Sequence, residues 1–192
     1  MRIKYNAPTV LTFAFLSAAI LVLSQNVVQS LTEQWFVVPG KADFSVRSFR
    51  NWVTLFTHVL GHANWPHLVS NFSFILLIGP ILEEIYGSVS LLIMIFITAL
   101  VTGVLNVLFF STGLLGASGV VFMMILLASF TNFSRGEIPL TFILVLILYL
   151  GKEFFNFFGS NAGADNISHF AHIVGGFIGS LFGVFRVTRR AR

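Results

Sequence analysis

The sequence predicts an all-α fold of the polytopic membrane class, with a single domain over residues 1–192, six transmembrane helices and a long outer loop between the first two. Hydrophobic residues make up 56% of the 192 residues and charged residues only 9%, with a mean hydropathy of +0.91. A soluble domain carries roughly 25% charged residues, so this chain has too few to cover a water-facing surface. Its apolar residues also fall into six stretches near the length of about 20 residues that a bilayer-crossing helix needs.

The six predicted spans are residues 8–28, 67–86, 89–110, 117–133, 139–157 and 168–187. The fourth is the shortest of them. The apolar core of the first span exceeds the roughly 7–15 residues of a signal-peptide core, so we expect this segment to be retained as a helix. No stretch of the chain repeats another, and the length suits one domain.

The basic residues lie beside the terminal spans and predict the sidedness of the protein. They are Arg2 and Lys4 at one end and Arg186, Arg189, Arg190 and Arg192 at the other, within a net charge of +4. An even number of spans puts both termini on one side, and basic flanks are typical of the cytoplasmic side. We therefore expect an integral membrane protein with both termini in the cytoplasm, which contacts the lipid bilayer and binds no nucleic acid. The chain has no cysteine, which excludes a thiolate nucleophile.

The long outer loop contains a predicted amphipathic helix. Its apolar residues recur at helical spacing and are Phe49, Trp52, Val53, Phe56 and Leu60. A helix with one apolar stripe and a tryptophan is typical of a segment lying in the membrane interface. A loop of nearly forty residues with no such element would be unusual.

Polar residues occur in the first turns of the second, fourth and sixth spans, all of which enter the membrane from the outer face. They are His67 and Asn71, then Ser118, then His169 and His172. Taken singly, each has a structural interpretation: a serine bonds the carbonyl one turn back, a histidine is a satisfied buried group, and an asparagine joins helices. Their occurrence at similar depth on one side favours a functional site instead.

These residue types together are the components of an acyl-transfer site. Ser118 is a weak nucleophile that a neutral histidine can activate, and it lies at a helix start, where free N–H groups favour negative charge. His67 and Asn71 are four residues apart, hence on one helix face, and both can donate hydrogen bonds to an oxyanion. Asp165 could complete a triad with His172 if its loop folded inward, but we favour a Ser–His dyad.

Small residues are predicted to bring the fourth and sixth spans close together. Gly116 and Gly119 flank the serine, while Gly175, Gly176, Gly179 and Gly183 follow His172 on its own helix face. Glycine at this spacing lets helix backbones approach closely. Because His172 begins this stripe, we predict it, rather than His169, to be the general base.

Three segments resemble the rhomboid family of intramembrane serine proteases in its compact six-helix bacterial form. They are FTHVLGHANWPHLVSN over 56–71, with the family's H-x-x-x-N; the G-x-S-G tetrad over 116–119; and AHIVGGFIG over 171–179, with H-x-x-G-x-x-x-G. The resemblance extends from about Phe49 to Phe185. It implies a rhomboid-like helical bundle and an endopeptidase that cuts transmembrane protein substrates near the outer membrane border without a cofactor. By position, it makes Ser118 the nucleophile, His172 the base, and His67 and Asn71 the oxyanion-hole side chains.

The chain departs from the family pattern at three places. Val53 and Thr54 stand where a Trp-Arg pair is common, which leaves the packing of the outer loop open. Phe122 replaces a common tyrosine one turn after the serine, so a hydroxyl contact is lost. Met123 replaces a glycine, and we expect it to loosen the fourth helix against the sixth. Because none of these departures removes a reactive group, we predict an active enzyme and not a non-catalytic relative of the family.

Two other functions are also weighed against proteolysis. A metal site could use His58 and His62, which have i,i+4 spacing, together with the other histidines. The glutamate of HExxH is missing, however, and no carboxylate shares the site, so we predict no metal and assign neither histidine a catalytic role. A transporter with proton-relay histidines is the other alternative, but the sequence lacks a matching pair of broken helices.

Overall fold

The computed structural model describes residues 3–130, 138, 140–151 and 164–190, with side chains described over residues 169–185 in the last helix. The predicted all-α fold is confirmed. The helices are α1 (Pro8–Asn26), α2 (Leu31–Trp35), α3 (Phe49–Thr57), α4 (Trp65–Tyr86), α5 (Ser88–Phe109), α6 (Ser118–Ser129), α7 (Leu140–Val145) and α8 (Ala164–Arg190). A 3₁₀ turn, His58–Leu60, follows α3, and a π-helical turn, Leu146–Gly151, follows α7.

Three of these helices are long and apolar enough to cross a bilayer, namely α1, α4 and α5. Helix α6 and the His169–Phe185 stretch of α8 are apolar but shorter. The protein is therefore an integral membrane protein. The fifth predicted span falls partly outside the described residues, as do the predicted last residues of the fourth.

The helix ends differ from the predicted spans for local reasons. Helix α4 begins at Trp65, two residues before the predicted start, because the Asn64 side chain accepts the His67 N–H at 2.9 Å and so caps the helix. Pro66 suits this first turn, since it has no N–H to leave unpaired. Helix α1 ends two residues earlier than predicted and α5 is shifted by one, whereas α8 begins four residues earlier than the predicted sixth span.

The described part of the fifth predicted span is not a regular α-helix. Helix α7 has six residues and continues into the π-helical turn Leu146–Gly151. Apolar periodicity cannot separate these two helical forms, since both produce a continuous apolar run. The rest of that span, residue 139 and residues 152–157, lies outside the described residues.

Glu83 fixes the start of α1 against the end of α4. Its carboxylate accepts the Thr9 N–H at 2.8 Å and the Val10 N–H at 3.0 Å, and its side chain is buried. A carboxylate at this position satisfies N–H groups that lack an intrahelical partner and lies at the positive end of the helix dipole. The charged group therefore has a structural role far from the polar cluster.

Helix α3 confirms the predicted amphipathic helix and shows which of its faces packs inward. Phe49, Trp52 and Phe56, from the apolar stripe, are exposed. Asn51 and Thr54 are buried instead. Three of the five residues of the predicted stripe thus lie on the exposed side of the helix, as expected for a helix at the membrane interface, whereas Val53 and Leu60 are partly buried.

The closest helix packing joins α6 to α8. A Cβ built on Gly175 would lie 2.0 Å from the Gly119 carbonyl oxygen, and one on Gly179 would lie 2.2 Å from that of Met123. The two backbones therefore touch at both levels. The expectation that Met123 loosens this pair is wrong, because its side chain is fully buried while its backbone receives Gly179.

Candidate active site

The turn that precedes Ser118 is built around Gly116. This residue has φ of +111°, a conformation that glycine adopts readily and other residues rarely. A Cβ added here would lie 2.7 Å from both Cε1 and Nε2 of His67, and 3.7 Å from Nδ2 of Asn71. The two α4 side chains therefore lie on one face of the helix, as their spacing of four residues predicted, and both border the turn directly.

Helix α6 begins at Ser118 itself, which is half-buried. Three other serines, Ser73, Ser129 and Ser180, bond the carbonyl four residues back in their own helices. At Ser118 the corresponding carbonyl belongs to Leu114, outside the helix, and accepts the Val38 N–H at 2.9 Å. The position of Ser118 thus differs from that of an ordinary packing serine.

Helix α8 brings His172 to the same end of α6. The imidazole stacks on the ring of Phe122, with ring centres 4.3 Å apart and planes 5° apart. One residue away, the Ala171 carbonyl oxygen would lie 3.4 Å from a Cβ on Gly119. His172 is therefore held beside the first turn of α6, the turn that carries Ser118.

The structure also locates His169, the alternative base, and Asp165, the candidate third member of a triad. The His169 ring lies 6.4 Å from the ring of His172, near the start of α8. Asp165 belongs to the first turn of α8 rather than to a loop, so the expectation that it lies in a loop is wrong. Its side chain lies outside the described residues.

The sequence interpretation missed His62 as part of this cluster. Its Nε2 lies 3.1 Å from Nδ2 of Asn71, and its ring centre lies 5.0 Å from that of His67. The side chain is only 1% exposed. Burial, together with the nearby imidazole of His67, lowers the pKa of His62 to about 4. The signal available in the sequence was its place nine residues before Asn71, within the same motif.

His58 is buried next to the same turn. Its Nε2 lies 3.3 Å from the Thr102 hydroxyl, and its Nδ1 lies 3.2 Å from the Thr54 carbonyl oxygen. Burial lowers the pKa of His58 to about 4. Its own carbonyl accepts the N–H of Gly116 at 2.9 Å, so the outer loop is bonded to the turn before Ser118.

Three further backbone hydrogen bonds hold the outer loop to this region. Val38 and Leu114 form an isolated antiparallel bridge, with N···O distances of 2.9 and 3.0 Å. Lys41 donates to the Phe110 carbonyl at 2.7 Å. The loop is thus docked along the segment that leads into α6.

No metal site is evident in the part of the chain that the structure describes. The histidines of the cluster do not assemble there, with or without carboxylates, into a group of three or more potential ligands. The cluster provides a hydroxyl at the start of α6, an imidazole beside the first turns of that helix, and an amide and a second imidazole at the preceding turn. These groups can move a proton and stabilise a negative oxygen.

Comparison with known proteins identifies relatives of the chain. A family model described as Rhomboid domain matches residues 50–189. The chain is also 25% identical over 162 residues to a protein of Arabidopsis thaliana named Rhomboid-like protein 11, chloroplastic. That match covers 78% of the chain and 58% of the relative. The chain therefore spans less than two thirds of the length of this relative.

Proposed function

Since the chain belongs to the rhomboid family, we propose that it is an intramembrane serine endopeptidase that hydrolyses transmembrane proteins near the outer membrane border. One observation carries the proposal above the rest: His67 and Asn71 border the turn at Gly116, two residues before Ser118. Hydrogen-bond donors next to a nucleophile are what acyl transfer requires. A structural cluster has no need of a serine at that position.

In the proposed reaction, Ser118 Oγ attacks the carbonyl carbon of the peptide while His172 takes the hydroxyl proton. The carbonyl electron pair moves to oxygen, and its return breaks the C–N bond. His172 then gives its proton to the departing amine, which leaves an ester on Ser118. Water, deprotonated by His172, repeats the attack on the ester, releasing the new carboxyl end and restoring the serine.

The alkoxide formed in each attack requires hydrogen-bond donors that are already in place. Unpaired charge in a partly dehydrated pocket is very costly. We assign the donors to the side chains of His67 and Asn71 and to the backbone N–H of Ser118, which belongs to the first turn of α6. Every group in this scheme comes from the chain itself or from water.

The membrane setting of the proposed enzyme follows from its helices and its charges. The apolar helices α1, α4 and α5 support action within the bilayer on a transmembrane substrate. Basic residues at both ends of the sequence support cytoplasmic termini, and we place the protein in a bacterial inner membrane. A single domain over residues 1–192 stays a prediction.

The decisive experiment compares wild type and Ser118→Ala on a model transmembrane substrate in proteoliposomes. We expect Ser118→Ala to abolish cleavage with an unchanged Tm, and a serine-directed fluorophosphonate to label only the wild type. His172→Ala should be inactive, whereas His169→Ala should retain measurable turnover. Wild-type cleavage by purified Ser118→Ala protein would contradict the assignment of the nucleophile.

A second experiment tests the oxyanion donors. Removing one such donor costs about 10²–10³ in kcat in serine proteases, so His67→Ala and Asn71→Ala should lower kcat by this order without abolishing it. KM should change little, since the alkoxide exists only in the transition state. Ser73→Ala, on an exposed position of the same helix, is the matched control. A normal kcat with a large fall in Tm for Asn71→Ala would make α4 only a scaffold.

A further inference from the structure

We propose that His62 is a positioning residue that holds the Asn71 amide in the orientation needed to donate to the oxyanion. The inference rests on the proposed function. His62 precedes α4 and is therefore separate from the helix whose side chain it contacts. Its contact with Asn71 is a direct one, 3.1 Å between Nε2 and Nδ2.

The hydrogen bonds of His62 determine which of its nitrogens carries the proton. Its Nδ1 lies 3.3 Å from the carbonyl oxygen of Leu60. A carbonyl can only accept, so Nδ1 must be the protonated nitrogen and Nε2 the one with the free lone pair. Nε2 then accepts one of the two N–H bonds of the Asn71 amide, and the other N–H remains for the oxyanion.

The surroundings of His62 keep this arrangement fixed. The imidazole is 1% exposed, packs edge-on against the ring of His67 with centres 5.0 Å apart, and contacts the ring of Phe72 at 5.7 Å. Because its pKa is lowered to about 4, the ring stays neutral at physiological pH and remains an acceptor. His62 therefore contacts both proposed side-chain donors, one by a hydrogen bond and one by ring packing.

The same short segment also bonds to the turn that precedes Ser118. The carbonyl of His58 accepts the Gly116 N–H at 2.9 Å, and Gly116 lies two residues before Ser118. The five residues from His58 to His62 thus fix the turn before the nucleophile at one end and the Asn71 amide at the other. The distance between Ser118 and the Asn71 amide is therefore set by a segment that is almost entirely buried.

Two substitutions of His62 separate the contact with Asn71 from the contact with Leu60. A glutamine places a carbonyl oxygen near the position of Nε2, so His62→Gln keeps an acceptor for Asn71. An asparagine reaches only as far as Nδ1, so His62→Asn keeps the bond to Leu60 and loses Asn71. We expect His62→Asn to lower kcat by about tenfold to a hundredfold at unchanged KM, and His62→Gln to recover most of that loss.

A double-mutant cycle tests whether His62 acts through Asn71. If it does, His62→Asn combined with Asn71→Ala should be no slower than Asn71→Ala alone, because the positioned group is already gone. Each variant is measured as kcat per folded protein, with Tm recorded separately. If His62→Asn does not fold, His62→Leu provides the same loss of the acceptor in an apolar side chain.

The outcomes distinguish this inference from the proposed function. Losses in kcat that multiply in the double variant, or equal kcat for His62→Gln and His62→Asn, overturn the positioning role. A fall in Tm with normal kcat in the folded fraction overturns it as well. If Ser118→Ala still cleaves the substrate, the proposed function itself is wrong. If Ser118→Ala is inactive but the losses of kcat at His62 and Asn71 multiply in the double variant, the proposed function stands and only the positioning role of His62 is rejected.

Discussion

The ring of Phe122 lies parallel to the imidazole of His172, with 4.3 Å between the ring centres and 5° between the planes. Phe122 is one turn after Ser118 on the same helix, so the stack connects the proposed nucleophile and base through a single side chain. A hydroxyl at the para position is not needed for this contact. The face of the phenyl ring limits how the imidazole can turn.

Phe122→Ala should therefore lower kcat, because the imidazole of His172 gains orientations that do not face Ser118. We expect about a tenfold to hundredfold loss, in line with the sensitivity of catalysis to small misplacements, with little change in KM. Phe122→Tyr keeps the stacked face and is the matched control. Equal kcat for the alanine variant and wild type would show that other contacts of His172 hold it in place.

Gly116→Ala should impair both stability and turnover. The positive φ at this position is unfavourable for alanine, and the added Cβ would meet the imidazole of His67 at 2.7 Å. Gly87 also has a positive φ, +83°, but none of the residues that the structure describes lies within 4 Å of its Cβ position. Gly87→Ala should then lower Tm while kcat per folded protein stays normal. Similar kcat values for the two variants would argue against crowding of His67.

Gly175→Ala should separate α8 from α6, because its Cβ would lie 2.0 Å from the backbone oxygen of Gly119. Overpacking of this kind costs about 1–3 kcal/mol, and the displacement should also move His172 and lower kcat. Gly151→Ala is the control, since no described residue lies within 4 Å of that Cβ position. The measurements are Tm and cleavage rate. A tolerated alanine at Gly175 would mean that the two helices can shift without loss.

Glu83→Gln should reduce stability and leave the chemistry unaffected. The carboxylate accepts N–H groups from Thr9 and Val10 with separate oxygens, whereas an amide offers one acceptor and turns an NH₂ group toward the other N–H. We expect a loss on the order of 1–3 kcal/mol in the free energy of unfolding. Glu84→Gln, at the exposed neighbouring position, should change Tm little. A smaller effect at Glu83 than at Glu84 would contradict the capping role.

Mild acid should destabilise the protein through its buried histidines. The pKa values of His58 and His62 are lowered from 6.5 to about 4, so between these values the unfolded chain binds protons that the folded chain does not. The free energy of unfolding therefore falls as the pH falls through this window, by on the order of 3 kcal/mol per histidine when fully developed. Tm measured from pH 7 to 5 should decline, and the decline should be shallower in His62→Gln. An unchanged slope in that variant would contradict the assignment.

Much of the fold could be predicted from the sequence, because helices that cross a membrane need long runs of apolar residues. Apolar stretches of sufficient length located α1, α4 and α5 to within two residues. The errors arise where backbone chemistry rather than apolar length decides, as at the Asn64 cap of α4 and at the π-helical turn after α7. Neither feature changes the hydrophobic pattern.

The polar cluster was predicted in part, and the missing part depends on tertiary contacts. His67 and Asn71 share a helix face, so spacing alone placed them together. The contact of His62 with Asn71 depends on how the chain turns before α4, and no periodic pattern encodes that turn. Likewise, the size of Met123 led us to expect looser packing between α6 and α8. Its side chain is buried, however, while its backbone meets Gly179.

The outer loop is held to the segment before α6 by main-chain atoms: Val38 with Leu114, Lys41 with Phe110, and His58 with Gly116. Every amino acid except proline offers the same N–H and every one the same carbonyl, so these bonds persist through most changes of side chain. The sequence of the loop is thereby free to drift during evolution while its position over the proposed site is retained.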